Sequence, residues 1–198
     1  APKKEYVYVV GDFNDWTPKS DYQLKQDGEY FWITLSGLTK GEEYAFQYLV
    51  DGSIYIADPY TDKVLDPWND SYIESTTYPN LKPYPTGKAE GIVSVRQTAY
   101  NWKVKNFERP ASEQLVIYEM LIRDFTEEHT FNAAKEKLEY LKNLGVNAIE
   151  LMPVNEFEGN TSWGYNPSFY FAVDKYYGTK NDLRAFVDEC HSQGMAVI

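Results

Sequence analysis

The sequence has few of the side chains on which many metal centres and catalytic sites depend. It contains one cysteine, Cys190, and two histidines, His129 and His191, among 198 residues. A single cysteine excludes a disulfide framework within the chain and a cysteine-rich metal site. With only two histidines, a zinc centre or a histidine-dependent catalytic triad is not expected.

Basic charge and long apolar runs are also scarce. The 19 Lys and Arg side chains face 30 Asp and Glu, which gives a net charge of −11. Such a chain repels nucleic-acid phosphates and anionic membrane surfaces, whereas a neutral ligand such as a sugar is compatible. No run is long enough to span a membrane, and no apolar signal segment follows the N-terminal Ala-Pro-Lys-Lys. We therefore expect no membrane span. The protein is expected to be either cytosolic or exported with its signal peptide already removed.

Aromatic side chains are abundant instead, at 17% of the sequence. This composition favours a tyrosine-rich β-sheet, and some of the rings can be platforms for a ligand. They are densest in "SWGYNPSFYFAVDKYYGTKNDL", residues 162–183. Most of these residues belong to the connection that runs from Pro153 to about Lys180, and connections of that length are usually functional.

The first part of the chain has the pattern of a small antiparallel β-sandwich, which we place at residues 1–77. Short runs rich in β-branched and aromatic residues alternate with turn signals. Asp51-Gly52 is a strong hairpin signal because a type I′ turn needs positive φ at both positions. The predicted strands are Tyr6–Val10, Tyr30–Leu35, Tyr44–Val50 and Ser53–Ala57.

Residues 78–113 have little periodicity and several prolines, so we interpret them as a linker and connection. Residues 91–95 are a possible strand within it. Trp102 and Phe107 are expected to pack this connection against one of the domains.

From residue 114 the pattern changes to buried strands that alternate with helices. "QLVIYEMLI" (114–122), "VNAIELMPV" (146–154) and the final "MAVI" are apolar runs typical of parallel strands. A helix is predicted after the N-cap Thr130, and a second after "TKND" (179–182), which resembles a capping box. Three strands and two helices form an incomplete layer, so residues 114–198 are expected to be the front of a longer domain.

The residues of this second part resemble a known family. "VIYEMLIRDFT" (116–126), "GVNAIELMPV" and "WGYNPSFYFAVDKYYGTKNDLRAFVDECHSQGMAVI" are similar, in this order, to the first third of the catalytic barrel of glycoside hydrolase family 13, the α-amylase family. The first part resembles the early-set modules close to carbohydrate-binding module family 48. That likeness rests on "VVGDFNDW" (9–16), "LSGLTKGEEYAFQYLVDG" (35–52) and "IADPYT" (56–61).

The resemblance implies a multidomain fold and an activity. An immunoglobulin-like antiparallel β-sandwich would precede the first three strands and two helices of a (β/α)8 TIM barrel. The chain would be the N-terminal portion of an enzyme that hydrolyses or transfers α-1,4 or α-1,6 bonds of starch or glycogen by a retaining mechanism. The family's catalytic carboxylates lie on later strands, so no catalytic residue is assigned here and this portion alone is expected to be inactive.

Other carboxylates of the second part are not expected to replace the family's catalytic carboxylates. Glu119 and Glu150 lie inside predicted strands and are interpreted as barrel-interior residues. Glu156 and Glu158 are interpreted as loop charges, and Asp124 is likewise not assigned to catalysis.

The same resemblance points to substrate-binding residues in the aromatic segment. Tyr165 matches the family's sugar-stacking tyrosine, and Asn166 is placed to reach a hydroxyl. Trp163 is either a second platform or an anchor for the loop. The later aromatics are assigned mostly to packing: Phe169, Tyr170, Phe171, Tyr176 and Tyr177.

An alternative function is a non-catalytic glucan-binding module. In glycogen-binding relatives, the tryptophan at the position of Trp16 stacks on the glucan, assisted by a second tryptophan that is missing here and for which Tyr55 is a substitute. The expected partner in either case is an α-glucan. No cofactor or metal is assigned to this chain: calcium often accompanies the intact enzymes, but "DPWNDS" (66–71) is interpreted as a polar loop.

Overall fold

The computed structural model describes residues 1–96 and 100–198, so the part of the predicted linker at 97–99 lies outside the described residues. The chain divides into two compact units. The first takes in Ala1–Asp70 and the segment from Lys82 that carries a strand ending at Arg96. The second takes in Ser71–Leu81 and the described residues from Tyr100 onward.

Twelve strands and four helices make up the regular structure of the described residues. The strands are β1 Val7–Gly11, β2 Lys25–Asp27, β3 Tyr30–Trp32, β4 Tyr44–Val50, β5 Ile54–Ile56, β6 Lys63–Leu65, β7 Val93–Arg96, β8 Ile117–Met120, β9 Ala148–Leu151, β10 Asn155–Phe157, β11 Pro167–Val173 and β12 Ala196–Val197. The helices are α1 Ile122–Phe125, α2 Phe131–Lys135, α3 Leu138–Asn143 and α4 Lys180–Ser192.

The first unit is built on an antiparallel sheet with the strand order β1-β4-β7-β6, and β5 also pairs with β4. A separate hairpin, β2–β3, forms a second short layer. Val7, Val9 and Val50 of the sheet pack with Leu24, and side chains such as Phe31 of β3 complete this cluster. Burial between the layers therefore stabilises the unit.

The hairpin between β4 and β5 confirms the predicted turn. Asp51 and Gly52 have φ values of 48° and 70°, and the N–H of Ser53 bonds to the carbonyl of Val50 at 3.2 Å. These are the positive φ angles of a type I′ turn. Pairing resumes at Ile54 opposite Val50, so Ser53 is an extra residue in the loop.

Long-range pairing moves the unit boundaries away from those predicted at 77 and 113. Strand β7 lies within the predicted linker, close to the expected strand at 91–95, and it pairs with both β4 and β6. Residues 71–81, predicted as the end of the sandwich and the start of the linker, cluster with the second unit instead. The short strands β2 and β6 were not predicted, because Lys-Gln-Asp and Lys-Val-Leu contain no run of β-branched or aromatic residues.

The second unit contains a parallel sheet with the order β12-β9-β8. Its helices cover one face, where Met120, Ile149 and Phe131 belong to one buried cluster with Leu138 and Phe186. The predicted βαβ pattern is confirmed. The predicted helix after Thr130 forms as two short helices, α2 and α3, with Thr130 Oγ1 accepting from the N–H of Ala133. Thr179 and Asp182 form the expected capping box of α4.

Three expectations for this unit are wrong. The strand predicted at 114–122 covers only Ile117–Met120, and Val116 and Ile117 are about half exposed, at 50% and 48%. The connection after β9 is not structureless, because β10 and β11 form an antiparallel hairpin with two register shifts. Tyr170 and Phe171 on β11 are exposed rather than packed. Tyr177, in contrast, is fully buried as expected.

None of the helices in the described ranges combines the length and the apolar character that a membrane crossing requires.

Candidate functional site

The aromatic segment forms the tip of the β10–β11 hairpin, at the carboxyl end of the parallel strand β9. Pro153 follows β9 by two residues, and the hairpin loop between Phe157 and Pro167 carries Trp163, Tyr165 and Asn166. In open α/β sheets, ligands bind beyond the carboxyl ends of the parallel strands. The topology therefore places the predicted substrate residues at the end of the sheet where a site is expected.

Gly164 fixes the loop against the end of β9. Its φ is +89°, and a Cβ atom at this position would lie 2.2 Å from the carbonyl oxygen of Pro153. Only glycine combines this conformation with so close an approach of two backbones. The backbone N–H of Gly164 also donates to Ser162 Oγ at 3.0 Å. The two flanking aromatics, Trp163 and Tyr165, are thus carried on a fixed turn.

A buried carboxylate holds the base of the hairpin. Asp174 is 2% exposed and accepts hydrogen bonds from the N–H of Phe157 at 3.1 Å and of Tyr176 at 2.9 Å. Its own N–H donates to the carbonyl of Val154 at 2.9 Å. These bonds tie the start of β10 to the residues that follow β11.

A buried ion pair and a buried tyrosine reinforce this base. Lys175 Nζ bonds to Glu156 Oε1, and both residues are buried. The expectation that Glu156 is a solvated loop charge is therefore wrong. The Tyr177 hydroxyl donates to the carbonyl of Ser162 at 3.5 Å, and burial raises the pKa of this phenol. Tyr177 consequently links the core to the loop tip as a neutral side chain.

The rings at the loop tip are open to solvent. Trp163 is 62% exposed and Tyr165 is 66% exposed, so each presents most of its surface. Asn166 Oδ1 accepts a hydrogen bond from Ser162 Oγ, which uses the amide oxygen to close the loop. The structure brings these three predicted residues together on one turn.

Two charged residues lie on the short helix α1, which directly follows the neighbouring strand β8. Arg123 donates to both carboxylate oxygens of Asp124, from Nε at 2.6 Å and from Nη2 at 2.9 Å. The hydrogen bond from Arg123 holds the pKa of Asp124 below its usual range. An ionised carboxylate that is already bonded in this way is a poor general acid.

The two candidate residues of the first unit do not form an open aromatic platform. Trp16 is only 8% exposed, and its Nε1 donates to Asp12 Oδ1 at 3.2 Å. Asp12 Oδ2 in turn accepts from the N–H of Ala45 at 2.9 Å, which fixes the indole against the sheet. Tyr55 is half-buried on β5. Because a stacking tryptophan needs a free face, this geometry counts against the glucan-binding module.

The described residues contain no group of three or more His, Cys, Asp or Glu side chains that could hold a metal ion. In "DPWNDS", Asp66 accepts from the N–H of Trp68 at 2.7 Å and from Asn69 Nδ2 at 2.8 Å. Asp70 Oδ2 accepts from the N–H of Asp66 at 2.9 Å. These oxygens close a turn and do not fit a calcium cage.

Comparison with known proteins shows which family model the second unit matches. Residues 124–198 match the family model described as the α-amylase catalytic domain. The second unit is therefore similar to this catalytic domain over those residues. The matched region includes the hairpin, the fixed Gly164 and the helix α4.

Curated relatives extend the similarity to the whole chain. The chain is 32% identical to a malto-oligosyltrehalose trehalohydrolase of Saccharolobus solfataricus, over 94% of this chain and 31% of that protein. It is 30% identical to a 1,4-α-glucan branching enzyme of Clostridium perfringens, over 100% of this chain and 29% of that protein. The chain therefore spans about a third of the length of these relatives.

Solved structures are similar in fold to the whole chain. An α-amylase-like protein of Salmonella typhimurium superposes with a TM-score of 0.76 at 27% identity, over 98% of this chain and 29% of that chain. A GBS pullulanase, SAP, solved in complex with maltotetraose, superposes with a TM-score of 0.70 over 100% of this chain and 30% of that chain. At 21% identity, the pullulanase supports the fold alone.

Two features of this candidate site could not be found from the sequence. The contact of Gly164 with Pro153 gives no local signal except a glycine before an aromatic residue. The pair of Arg123 and Asp124 was visible only as adjacent opposite charges next to an apolar run, which is common on any surface.

Proposed function

We propose that this chain is the N-terminal part of an enzyme that hydrolyses or transfers α-glucosidic bonds in starch- or glycogen-type glucans. The match of residues 124–198 to the α-amylase family model supports this proposal, and so do the names of the relatives that the whole chain matches. The first unit is proposed to be an early-set sandwich, and the parallel sheet to be the first three strands of a (β/α)8 barrel.

The observation that carries the proposal is the placement of Tyr165. It lies 66% exposed at the carboxyl end of β9, where (β/α)8 enzymes bind their substrates. A pyranose ring has an apolar C–H face that an aromatic ring can cover with little loss of conformational entropy. We therefore propose that Tyr165 stacks on a glucose unit and that Trp163, on the same turn, adds a second contact.

Asn166 is proposed to act at the same place. Its amide oxygen holds the loop through Ser162, and its amide nitrogen is the group that would reach a sugar hydroxyl. The bond-breaking carboxylates of a retaining enzyme are not assigned to any residue of this chain.

The test uses the full-length protein and this 198-residue chain side by side on soluble starch, glycogen, pullulan and maltooligosyltrehalose. Release of reducing ends or of trehalose reports hydrolysis, and a changed distribution of chain lengths reports transfer. We expect activity of the full-length protein on at least one of these glucans and none from the chain alone. No activity of the full-length protein on any of them, or turnover by the chain alone, would contradict the proposal.

A further inference from the structure

The second unit has an aromatic groove that the proposed active site does not use. Its volume is about 780 Å³. It is lined by Tyr100, Asn101, Trp102, Lys105, Phe107 and His191. We call this the α4 groove, because it lies between the segment that begins at Tyr100 and the last turns of helix α4.

The α4 groove and the Tyr165 loop lie at opposite ends of the parallel sheet. Helix α4 begins after the hairpin, at the carboxyl end of β9, and returns to the start of β12. His191 is in its last turn, where Gly194 N–H bonds to the His191 carbonyl at 3.1 Å. A ligand in the α4 groove would therefore not occupy the site proposed for the reaction.

A buried carboxylate fixes the shape of the groove. Asp188 on α4 is 3% exposed and accepts from the Tyr100 hydroxyl at 2.7 Å. It also accepts from the backbone N–H groups of Lys103 and Val104, each at 3.1 Å. A charged acceptor with three donors is a strong anchor. The segment is thus preorganised on the helix, which lowers the entropy lost on binding.

The walls of the groove combine aromatic faces with polar groups. Phe107 stacks on the His191 ring at 4.0 Å with an interplanar angle of 8°, which confirms that Phe107 packs the connection onto the second unit. Tyr100 meets Trp102 edge to face at 5.2 Å, and Trp102 remains 45% exposed. Asn101 and Lys105 are exposed donors at the same groove.

This arrangement favours a neutral, hydroxyl-rich ligand. An exposed indole beside amide and ammonium donors matches the two sides of a sugar, its apolar face and its hydroxyls. Lys105 is the only permanent cation among the named lining residues, and burial lowers the pKa of His191, so the imidazole is neutral at pH 7. One ammonium in a chain of net charge −11 does not make an anion site.

We propose that the α4 groove is a second, non-catalytic binding site for an α-glucan chain, with Trp102 as its stacking platform. The choice of α-glucan rests on the proposed function. Such a site would hold a polymer near the enzyme while a different part of it is cut or transferred, so it raises the effective substrate concentration.

The test is affinity electrophoresis of the full-length protein in native gels that contain glycogen. Trp102→Ala is compared with Trp102→Phe, which keeps a ring, and with Trp68→Ala, which removes a 64%-exposed tryptophan of the first unit. We expect Trp102→Ala to raise the apparent dissociation constant about fivefold, in keeping with the loss of one stacking contact. The apparent dissociation constants of the two control variants should stay within about twofold of the wild-type value. Binding at the proposed active site contributes equally to all variants.

Activity on maltopentaose separates this inference from the proposed function. The inference predicts an unchanged kcat/KM for Trp102→Ala, because a short substrate does not need the second site. If the enzyme is active and glycogen retards the wild type and Trp102→Ala equally, the proposal for the α4 groove is overturned and the proposed function is not. A wild-type protein with no activity on any α-glucan would overturn the proposed function.

A second variant protects the test against misfolding. If Trp102→Ala lowers the melting temperature by more than a few degrees, the decisive protein is the double variant Asn101→Ala/Lys105→Ala, since both side chains are exposed. The inference requires weaker retardation of this variant by at least about twofold. Unchanged retardation, as expected if another segment of the protein covers the groove, would overturn it.

Discussion

The two units of the chain differ in how their sheets are covered. In the first unit, β4 has neighbours on both sides, and the β2–β3 layer packs onto the same core as the sheet. In the second unit, helices cover one face of the parallel sheet, while Ile117 and Ile198 remain 48% and 58% exposed. Glu119 and Glu150 lie next to each other in register on β8 and β9, and both are exposed.

This difference supports the proposal of a barrel. Parallel sheets in proteins are almost always covered on both faces. The exposed residues Ile117, Glu119 and Glu150 would be interior residues if five more strands closed the barrel, as expected from the family. The first unit has two layers over its core, whereas one face of the parallel sheet in the second unit is exposed.

The largest expected effect is in the helix-covered core of the second unit. Phe131 is 0% exposed and meets Tyr177 edge to face at 5.9 Å. Phe131→Ala should lower the free energy of unfolding of this unit by about 3–5 kcal/mol, because it leaves a cavity. Tyr140→Ala, at a 61%-exposed position on α3, is the control and should change little. Urea denaturation of the 198-residue chain measures both.

If both substitutions had equally small effects, the second unit would not be a packed domain in this chain. If Phe131→Ala also shifted a separate transition of the first unit by the same amount, the two units would not be independent in stability.

The next effect concerns the Asp188 anchor. Asp188→Ala leaves the Tyr100 hydroxyl and the partly buried N–H groups of Lys103 and Val104 without their acceptor, so we expect a loss of about 3 kcal/mol in the free energy of unfolding. Asp188→Asn keeps an acceptor oxygen and should lose less. Equal stability of the alanine variant and the wild type would show that the segment from Tyr100 is not fixed to α4.

The same residue predicts a pH dependence. Burial raises the pKa of Asp188, but the bonds from Tyr100, Lys103 and Val104 lower it more, so the net pKa lies below its usual range. A depressed folded-state pKa stabilises the fold above the unfolded value of about 3.9, and this stabilisation is lost as the pH falls through the lower, folded-state pKa. The difference between the wild type and Asp188→Asn should therefore be largest at pH 5–7 (approximate range) and shrink below about pH 4. A difference that grew towards low pH would contradict this assignment.

A smaller effect tests the fixed loop. Gly164→Ala forces a Cβ atom against the Pro153 carbonyl, and we expect a loss of about 2 kcal/mol and a displaced Tyr165. Gly159→Ala is the matched control, because Gly159 has a similar φ of +79° but open space around it. It should cost only about 1 kcal/mol and leave the activity of the full-length protein unchanged. Equal kinetics for the two variants would mean that the close approach does not position Tyr165.

The smallest expected effect tests whether the exposed face of the parallel sheet, which carries Glu119, is covered in the full-length protein. In the 198-residue chain, Glu119→Leu should change the free energy of unfolding by no more than about 0.5 kcal/mol, because the side chain is exposed. In the full-length protein, the same substitution should have a larger effect of either sign, because a closed barrel would bury this position. The same small effect in both proteins would argue that the open face stays open.

Features with a local cause could be predicted from the sequence. The type I′ turn at Asp51-Gly52 and the capping box at Thr179 depend only on neighbouring residues, and both form as expected. The order of strands and helices after residue 114 follows from hydrophobic periodicity. These are the signals that the chain carries within a few residues of each element.

Features that depend on distant partners could not be predicted. A possible strand was expected at 91–95, but the place of β7 in the sheet depends on its pairing with β4 and β6, about 50 and 30 residues earlier, and the local sequence carries no signal for those partners. The bulged pairing of β10 with β11 leaves no regular alternation. The burial of Trp16 depends on Asp12 and the sheet beneath it, and the motif "FNDW" is the same for a buried and an exposed indole.

The most direct test of the central claim compares two tyrosines on the same hairpin. Tyr165 is 66% exposed at the loop tip and Tyr170 is 69% exposed on β11, so neither truncation should unfold the protein. If Tyr165 stacks on the sugar, Tyr165→Ala in the full-length protein should lower kcat/KM on maltooligosaccharides by at least about tenfold. The kcat/KM of Tyr170→Ala should stay within about threefold of the wild-type value. Equal effects of the two substitutions, or none from Tyr165→Ala in an active enzyme, would contradict the claim that the hairpin tip is the sugar-facing part of this chain.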